Sequence, residues 1–308
     1  MPLGASVIRG FRALPPRWRE RLKRLTGALG HGPSWAHRIR ARQLASTHRR
    51  LDAICEDLAG RLRFAGVERL TGRSCLEFGT GHLLSEALAY HLAGARRAVA
   101  VDYFSILQET EVRRACEGAD ADRIVAAWTP FDDASGIRCR VQALLDREDW
   151  SLARLSEIGV SYVAPYDAAR GPLHVEAFDV ITSGSVLEHL PNDEAGTILA
   201  HVFAMLAPGG CMVHMIHLED HRDFAGAPFA FLAEGTDWTE RDADTRGNRV
   251  RASEWIRMAE ALPGATVTWR SRVQDPLTLP PRLHPRFAGC DPVDLRTGSL
   301  MLAVAKRP

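Results

Sequence analysis

A chain of 308 residues, 46% hydrophobic and 25% charged, has ample apolar surface for a core and suits one large α/β domain with additions or two small domains. No apolar run approaches the roughly 18 residues needed to span a bilayer. The opening MPLGASVIRGFRALPPRWRER is interrupted by Arg9, Arg12, Pro15 and Pro16, so no secretory leader is expected and the cytoplasm is the expected location. The net charge is +1 but uneven: residues 1–63 hold 14 Lys/Arg against 4 Asp/Glu, leaving this arm near +10 and the remainder near −9. Such an arm attracts nucleic acid, anionic lipid or an acidic substrate, or it forms the solvated face of helices lying on an acidic body. The second arrangement is the expected one, with the arm packed partly over the domain and covering an acceptor pocket. The six cysteines (Cys55, Cys75, Cys116, Cys139, Cys211 and Cys290) form no CxxC pair, and reduced thiols are expected.

In chain order, residues 1–30 read as short helices broken by Pro15-Pro16 and the Gly30–Pro33 stretch. Leu44, Leu51, Ile54, Leu58 and Leu62 then mark a helix over about 34–63. Ser74–Phe78 is strand-like and closed by glycines. A helical stripe follows over 83–93, then a strand at 97–102. Residues 103–157 carry mixed helical patterns and are long for a crossover, which makes them a helical insertion. Strands resume at 160–166 and 177–184. The next helix has Asn192 as its expected cap, and Pro208-Gly209-Gly210 is expected to stop it before a strand at 211–218. Residues 219–250 are polar with little periodicity. Ser253 is the expected cap of a helix through Leu262, and strands at 265–273 and 298–306 end the chain.

This alternation predicts a doubly wound, seven-stranded α/β sheet with helices on both faces, an N-terminal helical arm (1–69) and a main domain (70–308) carrying insertions at 103–157 and 219–250. Ligands in such sheets bind at the carboxyl ends of the strands. Glu77, Asp102, Asp167 and Ser183 all fall at or just after such ends. In the first turn, Glu77-Phe78-Gly79-Thr80-Gly81-His82, two glycines stand where backbone must approach a ligand, and Leu83 occupies the position of a third. Asp102, 25 residues beyond Glu77, is placed to hold both hydroxyls of a ribose, a logic that dinucleotide sites share.

The segments FDVITSGSVLEHLPND (178–193) and MLAPGGCMVH (205–214) narrow the choice. Together with the glycine turn they resemble the class I S-adenosylmethionine-dependent methyltransferases over about residues 70–218, and the full dinucleotide glycine pattern is absent. The resemblance implies a Rossmann-like methyltransferase fold, S-adenosylmethionine as cofactor and S-adenosylhomocysteine as product. It implies that Glu77, Gly79 and Gly81 line the methionine part, that Asp102 binds the ribose, and that Tyr103 packs on the adenine. Asp167 would accept the adenine amino group beside the Ala168 backbone, and Ser183 would flank the sulfonium.

Methyl transfer needs alignment and exclusion of water, and a general base where the acceptor is a hydroxyl or a protonated amine. Histidines supply the base candidates. His189 follows Glu188 after the fourth strand. His217 and His221 stand with Glu219, Asp220 and Asp223 at the end of the fifth, where strand alternation puts Met215 and His217 on one face and the core residue His214 on the other. Imidazole and carboxylate also suit Zn, Fe or Mn, but the spacing matches no helical HxxxH pair, and no metal is expected. Arg246, Asn248, Arg249 and Arg251 form either an anion clamp for the acceptor or a solvated basic loop.

The expected function is methyl transfer to an O or N atom of a small metabolite, a natural-product intermediate among the candidates, with oxygen favoured by the histidine-carboxylate base. The alternatives are a regulatory cofactor-binding protein, an enzyme using the cofactor for other chemistry, and a nucleic-acid methyltransferase using the basic arm. No amino-methylation motif of the (N/D)PPY type follows the fourth strand. Nucleic acid and membrane are therefore not expected partners, and the oligomeric state is open.

Overall fold

The computed structural model describes residues 50–234 and 246–308. The expectations for residues 1–49, including the start of the long helix, lie outside the described residues. Helix α1 (Leu51–Phe64) precedes strand β1 (Ser74–Phe78), α2 (Ser85–Leu92) and β2 (Arg97–Val101). Four helices follow: α3 (Glu109–Cys116), α4 (Ala121–Trp128), α5 (Ala134–Leu145) and α6 (Leu152–Glu157). Then come β3 (Val160–Val163), β4 (Phe178–Gly184), α7 (Ala195–Ala204), β5 (Leu206–His217), α8 (Ala252–Glu260), β6 (Ala265–Val273), α9 (Pro292–Leu295) and β7 (Thr297–Lys306).

The seven strands form one sheet in the order β3-β2-β1-β4-β5-β7-β6. The first five are parallel, and β7 runs antiparallel between β5 and β6. The order reverses at β1 and β4, which opens a crevice at their carboxyl ends. Side chains alternate across β1, β4 and β5 and divide the core in two. Cys75, Val180 and Val213 face α1, α2 and the insertion helices, together with Leu58, Leu88, Ile124 and Trp128. Leu76, Ile181 and Met212 face α7 and α8, together with Leu199 and Trp255. The strands are buried on both faces, so they read as continuous apolar runs rather than alternating ones.

The insertion thus becomes four helices of the first layer. Asp120 caps α4 through the Asp122 and Arg123 amides, and Asp133 caps α5 through those of Ser135 and Gly136. α1 belongs to that layer too. Leu51, Leu58 and Leu62 are fully buried against it, so no packing boundary separates residues 51–69 from the sheet.

Local details differ from the pattern-based expectations. α7 starts at Ala195 with no side-chain cap; the amides of Glu194 and Ala195 donate to the Pro191 carbonyl instead, and Asn192 is not the cap. Arg251 rather than Ser253 is the N-cap of α8. The Glu254 side chain reaches back to the Arg251 amide at 2.9 Å, while the Ser253 hydroxyl goes to Asp294. Pro208-Gly209-Gly210 does not separate helix from strand. The helix has already ended at Ala204, and the three residues form an irregularity inside β5, where pairing with β4 jumps from Leu206 to Cys211. A Cβ at Gly210 would stand 2.9 Å from the Asp179 carbonyl and 3.0 Å from that of Ala207, so the bulge requires glycine. β3 ends at Val163, short of Pro165, which lacks the amide that a ladder needs.

Candidate active site at the carboxyl ends of the strands

The turn after β1 is built for close approach. Gly79 and Gly81 have φ of +81° and +65°, a region that favours glycine. A Cβ on Gly79 would come within 2.4 Å of the Val186 side chain, whereas one on Gly81 would meet nothing. The amides of Gly79 and Thr80 donate to the Val101 carbonyl, stitching the turn to the end of β2. Asp102 then points back: its carboxylate accepts from the Gly81 amide at 2.7 Å and the Phe104 amide at 2.9 Å. The Tyr166 amide donates to the Asp102 carbonyl at 2.8 Å, bringing the β3 loop alongside.

Tyr103 is 55% exposed, its ring edge-on to Phe104. Asp167 accepts from the Ala169 amide and from Arg170 Nε, both at 3.0 Å, and Ala168 is buried beside it. Asp102, Tyr103, Asp167 and Ala168 therefore gather on the β2–β3 side of the turn. If Asp102 holds the ribose through two charge-assisted hydrogen bonds worth about 1.5–3 kcal/mol each, Asp102→Ala should weaken S-adenosylmethionine binding at least tenfold in a calorimetric titration. An unchanged affinity with an unchanged melting temperature would move the ribose elsewhere.

On the other side of the turn lies a cavity of about 360 Å³. Glu77, Gly79, Thr80 and Glu86 form one wall; Gly184, Ser185, Met215 and His217 form another; Asp57 and Arg61 of α1 and Arg272 and Ser299 of β6–β7 close it. Burial, then the neighbouring Glu86 carboxylate, pushes the Glu77 carboxyl up to about 8, against the pull of the Ala87 amide. Arg61 is 2% exposed, ion-paired to Glu86 and bonded to the Ser183 carbonyl at 3.3 Å. Ser183 itself faces away: its hydroxyl meets His214 Nδ1 at 2.7 Å in the α7–α8 core, and Gly184 and Ser185 line the cavity in its place.

His217 lies on the cavity wall. Burial lowers its pKa below the ordinary 6.5, Glu219 pulls it up and Arg272 pushes it down again. The acids that follow are already committed. Glu219 accepts from Arg272 and from Gln274, the latter at 2.6 Å, and Asp220 is clasped by Arg222 and Arg246. They do not form hydrogen-bonded dyads with the histidines. His221 instead meets His189 edge-on, ring centroids 4.8 Å apart, and lies tilted against Phe224 at 5.0 Å. His214 is buried on the opposite face with its pKa lowered to about 3.

The basic segment after residue 245 is neither an anion clamp nor a solvated loop. Arg246, Asn248, Arg249 and Arg251 are all buried. Arg246 pairs with Asp220 and Glu234. Asn248 donates to the carbonyls of Leu187 and Leu190. Arg249 reaches those of Phe231 and Glu234, and Arg251 those of Leu218, Asp294, Leu295 and Thr297. Asn248, Arg249 and Arg251 thus tie backbone carbonyls at the ends of neighbouring elements, and Arg246 ties two carboxylates.

Asp57, Arg61, Glu86 and Arg272 escaped the sequence analysis as cavity residues. Arg61 left a signal: it falls three residues after Leu58 and seven after Ile54, on the apolar stripe of α1, where a charge needs a buried partner. Arg272 left none, because its place depends on how the final antiparallel pair folds back over β5.

No curated protein matches the sequence significantly. The chain resembles magnesium protoporphyrin IX methyltransferase from Synechocystis PCC 6803, with 12% identity over 83% of this chain and 82% of that one and a TM-score of 0.44. It resembles an S-adenosylmethionine-dependent methyltransferase from Mesorhizobium loti, with 14% identity over 80% and 95% and a TM-score of 0.41. It also resembles the N-methyltransferase NodS from Bradyrhizobium japonicum WM9, with 15% identity over 82% and 85% and a TM-score of 0.38. Among the described residues no helix is long and apolar enough to cross a membrane. A family model described as a methyltransferase domain matches residues 38–262. With that match, the seven-stranded order and the open glycine turn facing an acidic strand end, the chain belongs to the class I S-adenosylmethionine-dependent methyltransferases, and S-adenosylmethionine is its cofactor.

Proposed function

We propose that the chain is an active methyltransferase that moves the methyl group to an O or N atom of a small metabolite, a natural-product intermediate being the class in view. The observation that carries this is the position of His217, a partly buried imidazole on the wall of the same cavity as Gly79 and Glu77. The cofactor fits the residues present: a turn open at Gly81, a strand-end carboxylate at Asp102 on one side of it and a polar cavity beyond Gly79 on the other. When bound it supplies a methyl group already activated on a sulfonium.

The rest is the work of the chain. Asp102, Tyr103, Asp167 and Ala168 would hold the adenosine half, and Glu77, Gly79 and Gly81 the methionine half. α1 and the β6–β7 pair wall off the cavity, which excludes water and fixes the direction of approach. His217, kept neutral by burial, would take the proton of the acceptor hydroxyl or ammonium as the bond forms. His221 and His189 stand farther along the same line of rings, through Phe224. A cavity closed by Asp57 and Arg272 favours a small acceptor over a polynucleotide, which needs an open basic groove.

Incubating the full chain with methyl-labelled S-adenosylmethionine and fractionated small-molecule extract should give label in a low-molecular-weight product. Cofactor binding in calorimetry without label transfer to any fraction would favour the regulatory alternative. Label in RNA or DNA alone would favour the nucleic-acid alternative.

A further inference from the structure

Between the cavity and the buried basic segment, three side chains from two distant parts of the chain meet. Glu188 and His189 lie in the short 3₁₀ turn Leu187–His189 after β4, and His221 lies in the loop after β5. Each offers a ligand atom, and these atoms all lie within 4.8 Å of one another. Glu188 is 1% exposed, and its carboxylate, approached by the His217 amide and by its own, makes no hydrogen bond of good geometry. A buried carboxyl group in that condition costs stability unless something satisfies it.

We propose that Glu188, His189 and His221 form a binding site for a divalent first-row transition ion such as Zn²⁺.

The chemistry of the donors selects the ion. Two imidazoles and one carboxylate suit zinc, iron, cobalt or manganese, whereas magnesium and calcium prefer all-oxygen sets. Three protein ligands leave coordination positions open, as in catalytic rather than structural zinc sites. With ligands about 2.1 Å from a tetrahedral ion, neighbouring donor atoms stand about 3.4 Å apart, so the set would have to draw in by at most about 1.4 Å. Side-chain rotation supplies that.

The surroundings hold the ligand-bearing backbone in place. The Asn248 amide donates to the Glu188 carbonyl at 2.7 Å, and the Asn248 side chain bonds the carbonyls on either side. The His221 amide donates to the Arg246 carbonyl at 3.1 Å. Asp220, next to His221, is held by Arg222 and Arg246, and Glu219 by Arg272 and Gln274. Those two acids are therefore committed, and Glu188 is the carboxylate available to an ion. The buried basic segment acquires a purpose here: it pins both ligand-bearing segments, as outer-shell groups do in metal centres. Metal binding does not depend on the methyltransferase reading. That an ion here would orient an acceptor oxygen toward the cavity, past Phe224 and His217, does rest on that reading.

The test uses the full chain, stripped with a chelator and titrated calorimetrically with Zn²⁺ and separately with Mg²⁺. Co²⁺ is followed by visible absorption. One Zn²⁺ per chain is expected, at least a hundredfold tighter than Mg²⁺. Co²⁺ should give ligand-field bands without the near-ultraviolet band of thiolate ligation. Glu188→Gln and His221→Asn should each weaken Zn²⁺ at least tenfold with circular dichroism unchanged. Lack of stoichiometric Zn²⁺ binding by the unaltered chain would overturn the proposal. Thiolate bands, Mg²⁺ bound as tightly as Zn²⁺, or binding that persists in both variants would also overturn it. Zn²⁺ binding of this kind without label transfer in the methyl assay leaves the metal site standing and removes the methyltransferase reading.

Discussion

Replacing His217 with Asn is expected to lower methyl turnover by roughly 10²–10⁴-fold, the span of a positioned general base. Asn keeps a polar side chain of similar size but cannot accept a proton at neutral pH. The contacts proposed for the adenosine half lie on β2 and β3, so S-adenosylmethionine affinity should barely change. The pH profile adds a second readout. Only neutral imidazole can act as base, so turnover rises with pH through the histidine ionisation and then levels. Burial and Arg272 lower the pKa of His217, while Glu219 and Asp57 raise it; the net shift is downward, so the rise should be centred below 6.5 and the plateau reached by neutral pH. Arg272→Gln should move that midpoint upward, because it removes a cation that disfavours the imidazolium. Near-normal turnover in the Asn variant would end the base assignment. A lower melting temperature with normal turnover in the folded fraction would mean that the histidine only packs.

The sheet was legible because its strands are buried on both sides. Cys75-Leu76 and Val180-Ile181 each send one side chain to either helical layer, and such runs stand out from the helical stripes around them. The glycine turn was legible because Gly79 needs both a positive φ and the absence of a Cβ. Element ends were less so. Asn192 and Ser253 are good cap residues by type, but a Pro191 carbonyl and the Glu254 carboxylate took those places. The site divides along the same line. Glu77 and Asp102 stand at strand ends that β1 and β2 fix locally, so their positions could be read from the sequence. Ser183 was assigned by its place at a strand end, yet alternation turns its hydroxyl to His214. The Arg246–Arg251 segment misled for a related reason: arginines in a polar stretch look solvated until the fold buries orphan carbonyls around them. Glu188 and His221, 33 positions apart, carry no sequence signal of their meeting, which depends on the loops after β4 and β5 converging.

Arg61→Leu is expected to destabilise the chain by about 3–5 kcal/mol, the usual cost of removing one partner from a buried ion pair. Arg61 is shielded from water, a loss that acts against its charge, but Glu86 and Asp57 more than compensate and hold the guanidinium above its ordinary pKa. Glu86 also accepts from the Thr182 hydroxyl, which Tyr90 meets at 2.7 Å, so one cation anchors a polar knot beneath the glycine turn. Leu fills most of the space, so the loss should be electrostatic rather than a cavity effect. A double-variant cycle separates the two: adding Glu86→Gln to Arg61→Leu should recover a large part of the stability, because it removes the stranded charge. No recovery would mean that Arg61 matters for its packing. Acidity offers an independent reading. The folded chain holds the Glu77 proton up to about 8, whereas an unfolded glutamate releases it near 4.5. Between those values the folded state binds more protons than the unfolded one, so stability is fully present below about 4.5 and declines as pH rises through 8. The Glu77 share is read against Glu77→Gln, which cancels the opposing titration of the buried His91 and His214 and the parallel one of Glu188: without cofactor, the unaltered chain should lose melting temperature relative to that variant from pH 5 to pH 8.5, since an amide keeps an acceptor for the Ala87 amide but carries no charge. Arg61→Leu should steepen that loss by removing the cation nearest to the two carboxylates. A difference between the unaltered chain and Glu77→Gln that does not change over this range would show that Glu77 is ionised beneath the turn and that Arg61 already balances both acids.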